Sequence, residues 1–127
     1  MVRDEAYCNA ITEQIIGCAY KVANCLGPGF LEKVYENALC YEVGQCDLKV
    51  EQQFPINVIY EGIIVGEYSA DLVVQDEIIV ELKAVKALDP SHFAQCMNYL
   101  KGTGKKVCLL INFGSQKVEI RRVVNSL

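Results

Sequence analysis

Residues 68–84 read Tyr-Ser-Ala-Asp-Leu-Val-Val-Gln-Asp-Glu-Ile-Ile-Val-Glu-Leu-Lys-Ala. Two apolar, β-branched runs flank Gln75-Asp76-Glu77, and that pattern predicts a β-hairpin with its turn at those three polar residues. Charge interrupts both runs, at Asp71 in the first and at Glu81 and Lys83 in the second. Strand period puts Glu81 and Lys83 on one face and Val80 and Leu82 on the other. Apolar side chains on both faces of 78–84 suit a central strand. A tight hairpin centred on Asp76 sets Asp71 roughly opposite Glu81. Opposed carboxylates repel, and charges within an apolar strand are costly unless paired or metal-bound.

The order of elements grows outward from this hairpin. Strand character begins near Lys49, and Pro55 argues that this first strand is at an edge or broken. Asn57 to Tyr60 leads into the turn signal Glu61-Gly62. Ile63 to Val74 reads as a long strand with a bulge or bend at Gly66. The three strands form an antiparallel meander. Upstream, Ile11, Ile15, Ala19, Val22 and Leu26, widened by Ile16 and Ala23, form the buried stripe of a helix from about Asp4 to Leu26. Gly27-Pro28-Gly29 stops it. A second helix spans about Phe30 to Val43, its apolar face being Leu31, Val34, Tyr35, Ala38 and Leu39, with Gly44 as its stop. Downstream, Asp89 as N-cap and Pro90 at the first position open a third helix to about Leu100. Gly102-Thr103-Gly104 ends it. Val107 to Phe113 and Lys117 to Val123 are two more strands. The result is an α/β fold of order ααβββαββ, a mixed central sheet flanked by helices, within one domain spanning residues 1–127.

Composition sets limits. An apolar fraction of 52% and a charged fraction of 22% fit a soluble globular chain. No apolar run approaches the roughly 20 residues of a membrane span, and Asp4 and Glu5 are out of place in a signal peptide. The expected location is cytoplasmic, away from membranes. A net charge of −4 counts against wrapping nucleic acid by bulk electrostatics. Lys101, Lys105 and Lys106, and the pair Arg121-Arg122, allow local contact but also read as solvated surface. The seven cysteines contain no CxxC pair and have one His, His92, for company. They read as small buried residues of a reduced protein, with redox or metal roles as the lesser reading. His92 at a helix start reads as a partly exposed helix residue, or as a ligand for phosphate or metal.

Two carboxylates on oxygen-loving metal ions beside a lysine suit phosphodiester cleavage. The metal would activate water, and Lys83 would orient that water or stabilise the developing negative charge. The same residues also read as a self-neutralising structural network. Periodicity alone leaves both readings open.

Ala70-Asp71 followed by Glu81-Leu82-Lys83 resembles the signature of the PD-(D/E)xK nuclease superfamily. Gly29-Phe30-Leu31-Glu32-Lys33-Val34-Tyr35 resembles the namesake motif of the GxxExxY protein family, which is assigned to that superfamily. Similarity extends over 27–39, 70–83, 91–113 and Ile120-Arg121-Arg122. Ala70 departs from the superfamily's Pro at a position without chemistry. The resemblance implies a restriction-endonuclease-like core, Asp71 and Glu81 as ligands of Mg²⁺ or Mn²⁺, Lys83 as the catalytic lysine, and Glu32 as a helix ligand with Glu36 in reserve. Gln95-Cys96-Met97-Asn98-Tyr99 resembles the QxxxY pattern of RecB-like members, in which the Gln and Tyr line the site and help hold DNA. Tyr99 also reads as a core residue packed with Phe93 and Leu100.

Two functions follow as expectations. The first is a divalent-metal-dependent nuclease acting on nucleic acid, DNA in preference to RNA. The second is a catalytically silent nuclease-fold binding or regulatory domain. A chain this short carries no second module to recognise a sequence or open a duplex, so a homodimer or an unknown protein partner is expected. A thiolate-based redox or metal-storage protein is a third, weaker reading.

Overall fold

The computed structural model describes residues 5–125. In chain order it contains α1 (Glu5–Leu26), α2 (Glu32–Gly44), β1 (Val50–Tyr60), β2 (Ile63–Val74), β3 (Ile78–Lys83), α3 (Pro90–Thr103), β4 (Val107–Asn112) and β5 (Glu119–Val124). The five strands form one sheet in sequential order. β1–β2, β2–β3 and β4–β5 are antiparallel, whereas β3–β4 is parallel because α3 carries the chain back across the sheet. This is the restriction-endonuclease-like α/β core that the sequence implies. The expected start of the first helix at Asp4 lies outside the described residues. Among those described, no helix is long and apolar enough to cross a membrane.

Two apolar layers sandwich the sheet. On one face, Ile11, Ile15, Ala19 and Val22 of α1 and Tyr35, Leu39 and Val43 of α2 pack on Leu72, Val80, Leu82 and Leu109. On the other, Cys96, Tyr99 and Leu100 of α3 pack on Ile56, Ala70, Val73, Ile79 and Leu110. The alternation along β3 is as the period requires, with Val80 and Leu82 toward α1 and α2 and Ile79 toward α3. Pro55 lies in an edge strand, as its missing N–H demands. Glu61 and Gly62 both take positive φ, which is the type I′ pattern of a two-residue hairpin. The register of β1 on β2 shifts between Val58 and Ile59, opposite Val65-Gly66.

Two expectations need correction. The apolar face of α2 is Tyr35, Leu39 and Val43. Leu31 is the N-cap and 80% exposed, and Val34 is also exposed, because the helix starts at Glu32 and its stripe follows the i, i+4, i+8 row. Of the cysteines, Cys8, Cys18, Cys96 and Cys108 are buried and Cys40 is half-buried, but Cys25 and Cys46 are exposed.

The motif Gly29…Tyr35 has an architectural explanation. Gly27 and Gly29 take φ of +68° and +113°, where side chains are strained. Tyr35 is fully buried and stacks on Phe113 at 4.7 Å between ring centroids. Its hydroxyl donates to the Gly27 carbonyl and accepts from the Phe30 N–H. The tyrosine thereby ties the α1–α2 connection down, and Glu32 is presented at the first turn of α2.

Candidate active site

The β2–β3 ladder pairs Val74 with Ile78, Val73 with Ile79 and Leu72 with Val80. One step further the carboxylates take over. The Asp71 N–H donates to Glu81 Oε1 at 2.8 Å, and the Leu82 N–H donates to Asp71 Oδ2 at 2.8 Å. The two side chains thus replace the next rung of the ladder, and the strands part around them. Glu81 is 3% exposed. Burial, and then the charge of Asp71, push its carboxyl up to about 9, against a bond from the Asp71 N–H. Burial also raises Asp71, with Glu36 adding and the Leu82 N–H and Gln53 amide opposing. Both carboxyls are therefore raised, Glu81 far above the usual carboxylate range.

Lys83 turns toward α3. Its Nζ donates to Gln95 Oε1 at 2.7 Å, and Gln95 Nε2 donates to the Tyr99 hydroxyl at 3.2 Å. The four-residue spacing stacks Gln95 and Tyr99 on one helix face, and Tyr99 is also part of the α3 core. Tyr99 thus packs in the core, as one of its two sequence readings has it, while its hydroxyl accepts from Gln95. The chain beyond Lys83 is fixed by Asn112, which is fully buried. Its Oδ1 accepts from the Val85 and Gly114 N–H groups, and its Nδ2 donates to the Val85 carbonyl and Glu119. Gly114 must be glycine, since a Cβ there would lie 2.3 Å from the Val85 nitrogen.

The two helix glutamates have exchanged the expected prominence. Glu32 is exposed as a residue. Desolvation of its carboxyl raises it, and the charges of Asp71 and Lys83 act on it in opposite senses. Glu36 is buried, and three side chains clamp it: Gln52 at 2.6 Å, Lys33 at 2.9 Å and Gln53 at 3.0 Å. Burial pushes Glu36 up, but the bonds from Gln53, Lys33 and Gln52 outweigh it and hold the carboxyl below its usual value. Gln53 also reaches Asp71 Oδ1 at 3.4 Å. It lies inside β1 at φ +53°, a conformation that costs roughly 1–3 kcal/mol for a side-chain-bearing residue. Gln52 and Gln53 were not legible as site residues. The polar run Glu51-Gln52-Gln53 in an otherwise apolar edge strand was the one available signal. His92 is a capping residue: its Nδ1 accepts from the Asp89 N–H, while Asp89 Oδ1 accepts from the Ser91 N–H.

Asp71 and Glu81 have the right oxygen chemistry for Mg²⁺ or Mn²⁺. Among the described residues, however, no three His, Cys, Asp or Glu side chains are grouped to hold a metal ion. Glu36 is taken up by its amide and lysine partners. As placed, these residues do not make a complete metal centre.

Residues 9–123 match the family model of the PD-(D/E)XK nuclease superfamily. That match covers nearly the whole chain, and the protein belongs to this superfamily. The crystal structure of an alkaline exonuclease (LHK-Exo) from Laribacter hongkongensis is similar in fold, with a TM-score of 0.56 over 99% of this chain and 73% of that one, at 14% sequence identity. No curated protein matches the chain.

Proposed function

We propose that this protein is a nuclease-fold domain that binds nucleic acid, DNA in preference to RNA, and is catalytically silent with its side chains arranged as they are. The observation that carries this reading is the mutual use of Asp71 and Glu81. Each carboxyl group accepts a backbone N–H from beside the other, and among the described residues no third ligand joins them. Lys83 is likewise engaged by Gln95. The groups that a nuclease would turn toward a metal and a phosphate make these bonds within the protein. Superfamily membership supports nucleic acid as the partner. The structural use of Gly29 and Tyr35 around Glu32 supports placing the chain in the GxxExxY branch. A cytoplasmic location belongs to the same proposal and is supported by seven free thiols.

One observation favours the second reading, a divalent-metal-dependent nuclease. A buried acid pair with a strongly raised carboxyl beside a lysine is the perturbation that catalytic sites display. On that reading Asp71, Glu81 and Glu32 hold Mg²⁺ or Mn²⁺, and Lys83, Gln95 and Tyr99 face the phosphate.

Calorimetric titration with Mn²⁺ and Mg²⁺, run beside DNA and RNA binding and cleavage assays, separates the two. The silent domain binds nucleic acid but gives neither metal heat nor cleavage. Metal heat abolished by Asp71→Ala with Glu81→Ala, together with cleavage lost in a folded Lys83→Ala that still binds, would establish the nuclease instead.

A further inference from the structure

Beyond the acid pair, the outer halves of β1 and β2 rise past the end of the core and leave a groove between themselves and α3. Its volume is about 720 Å³, and its lining includes Ile56 and Tyr68 on the strand side and Gln95, Asn98, Tyr99 and Lys101 on the helix side. The groove is continuous with the site, because Gln95 and Tyr99 belong to both.

Its floor is aromatic. The Tyr68 ring folds back along β2 over Gly66, where a Cβ would come within 3.0 Å of the ring. Tyr68 is nevertheless 53% exposed, and its ring centroid is 6.0 Å from that of Tyr99, at a 48° tilt. The ring thus lies beside Gly66 of its own strand and also lines the groove. Around it stand the amides of Asn57, Gln95 and Asn98, and among the described lining residues Lys101 is the one charge.

We infer that this groove takes unpaired nucleotides of a single-stranded nucleic acid, with a base stacked on Tyr68, the amides facing its edge, and Lys101 against the backbone phosphate. This rests on the nucleic-acid binding proposed above and names the form of the strand. Three observations select a single strand over a duplex. Stacking on a protein ring requires an unpaired base. The groove's size is that of a small-molecule pocket, and it cannot admit a double helix. The chain's net charge is −4 and one lysine lines the groove, whereas duplex binding draws on many phosphate contacts. An apolar peptide is a poorer occupant, because it would offer no partners to the Asn57 and Asn98 amides.

The test is fluorescence anisotropy with a short labelled oligothymidylate and a blunt duplex of equal length. Circular dichroism verifies that each variant is folded. The expected result is tighter binding of the single strand by the wild-type protein. Tyr68→Ala should weaken that binding about ten- to hundredfold, as expected from the loss of one base stack, while Tyr68→Phe should stay within about twofold. Lys101→Ala should lower the salt slope by about 1. Single-strand binding unchanged in Tyr68→Ala would overturn the groove and leave the nucleic-acid reading standing. Preference for the duplex would overturn the single-strand assignment. No binding of either probe by the wild type would overturn both this inference and the reading beneath it.

Discussion

The two halves of β2 reverse the usual placement of charge and grease. The inner half, Ala70–Val74, lies against both cores, yet it holds Asp71 beside the buried Glu81. The outer half, with its partner β1, exposes Val58, Ile59, Tyr60, Ile63, Ile64, Val65 and Tyr68. A protein concerned with stability alone would do the opposite. Burying a carboxylate and exposing an apolar ribbon both cost free energy, so each half has a use that folding does not explain. On the readings proposed above, the inner half is the part suited to a phosphate and the outer half the part suited to a base.

The comparison can be broken most forcefully at the inner end. Gly114→Ala drives a methyl group into the Val85 backbone and should cost about 3 kcal/mol, at the upper end for overpacking, seen as a lower urea midpoint. A loss under about 1 kcal/mol would mean that the loop after Lys83 yields freely.

Glu81→Gln sharpens it. Glutamine keeps an oxygen for the Asp71 N–H and removes a buried acid, so the metal-free protein should gain roughly 1–3 kcal/mol at neutral pH. The sign follows from proton counting. The carboxyl is raised to about 9 in the folded chain, so the native state holds a proton that the unfolded state has released. The contribution of Glu81 to stability is then greatest below its unfolded pKa and is lost as pH rises toward about 9. The advantage of glutamine should be small near pH 5 and grow on the alkaline side. A flat difference between denaturation curves across that range would remove the electrostatic account.

Tyr35→Phe deletes the hydroxyl that joins Gly27 and Phe30 and should cost about 1–2 kcal/mol in thermal or urea unfolding. The smallest effect belongs to the outer half. Ile63→Lys, at a position 64% exposed, should change stability by less than about 0.5 kcal/mol. A larger loss would show that the ribbon is packed after all.

Much of this contrast was legible in the sequence. The limits of β2, the central place of β3, the Asp89-Pro90 start of α3 and the approach of Asp71 to Glu81 all follow from period and turn chemistry, which are local. Three features were not legible, for separate reasons. Leu31 and Val34 look like core residues, but one turn of helix decides which apolar residue faces the sheet, and Tyr35 wins because its hydroxyl also has partners. Glu36 outranks Glu32 in burial because two glutamines and a lysine compensate it, and partners so distant in sequence leave no periodic trace. Gln53 adopts a left-handed backbone conformation, which Gly, Asn and Asp signal and glutamine does not. The bond from Lys83 to Gln95 was expected only as shared membership of a site.

The parallel pairing of β3 with β4 also has a consequence for the order in which the chain assembles. β1, β2 and β3 meet through short turns, so the Asp71–Glu81 pairing closes a loop of few residues. The β3–β4 pair must wait for the whole α3 crossover, and non-local closures of that kind are slow. The pairing of Asp71 with Glu81 is therefore expected to form before that of β3 with β4. The lysine receives its glutamine partner only when α3 docks, so the groove and the Lys83–Gln95 contact form together.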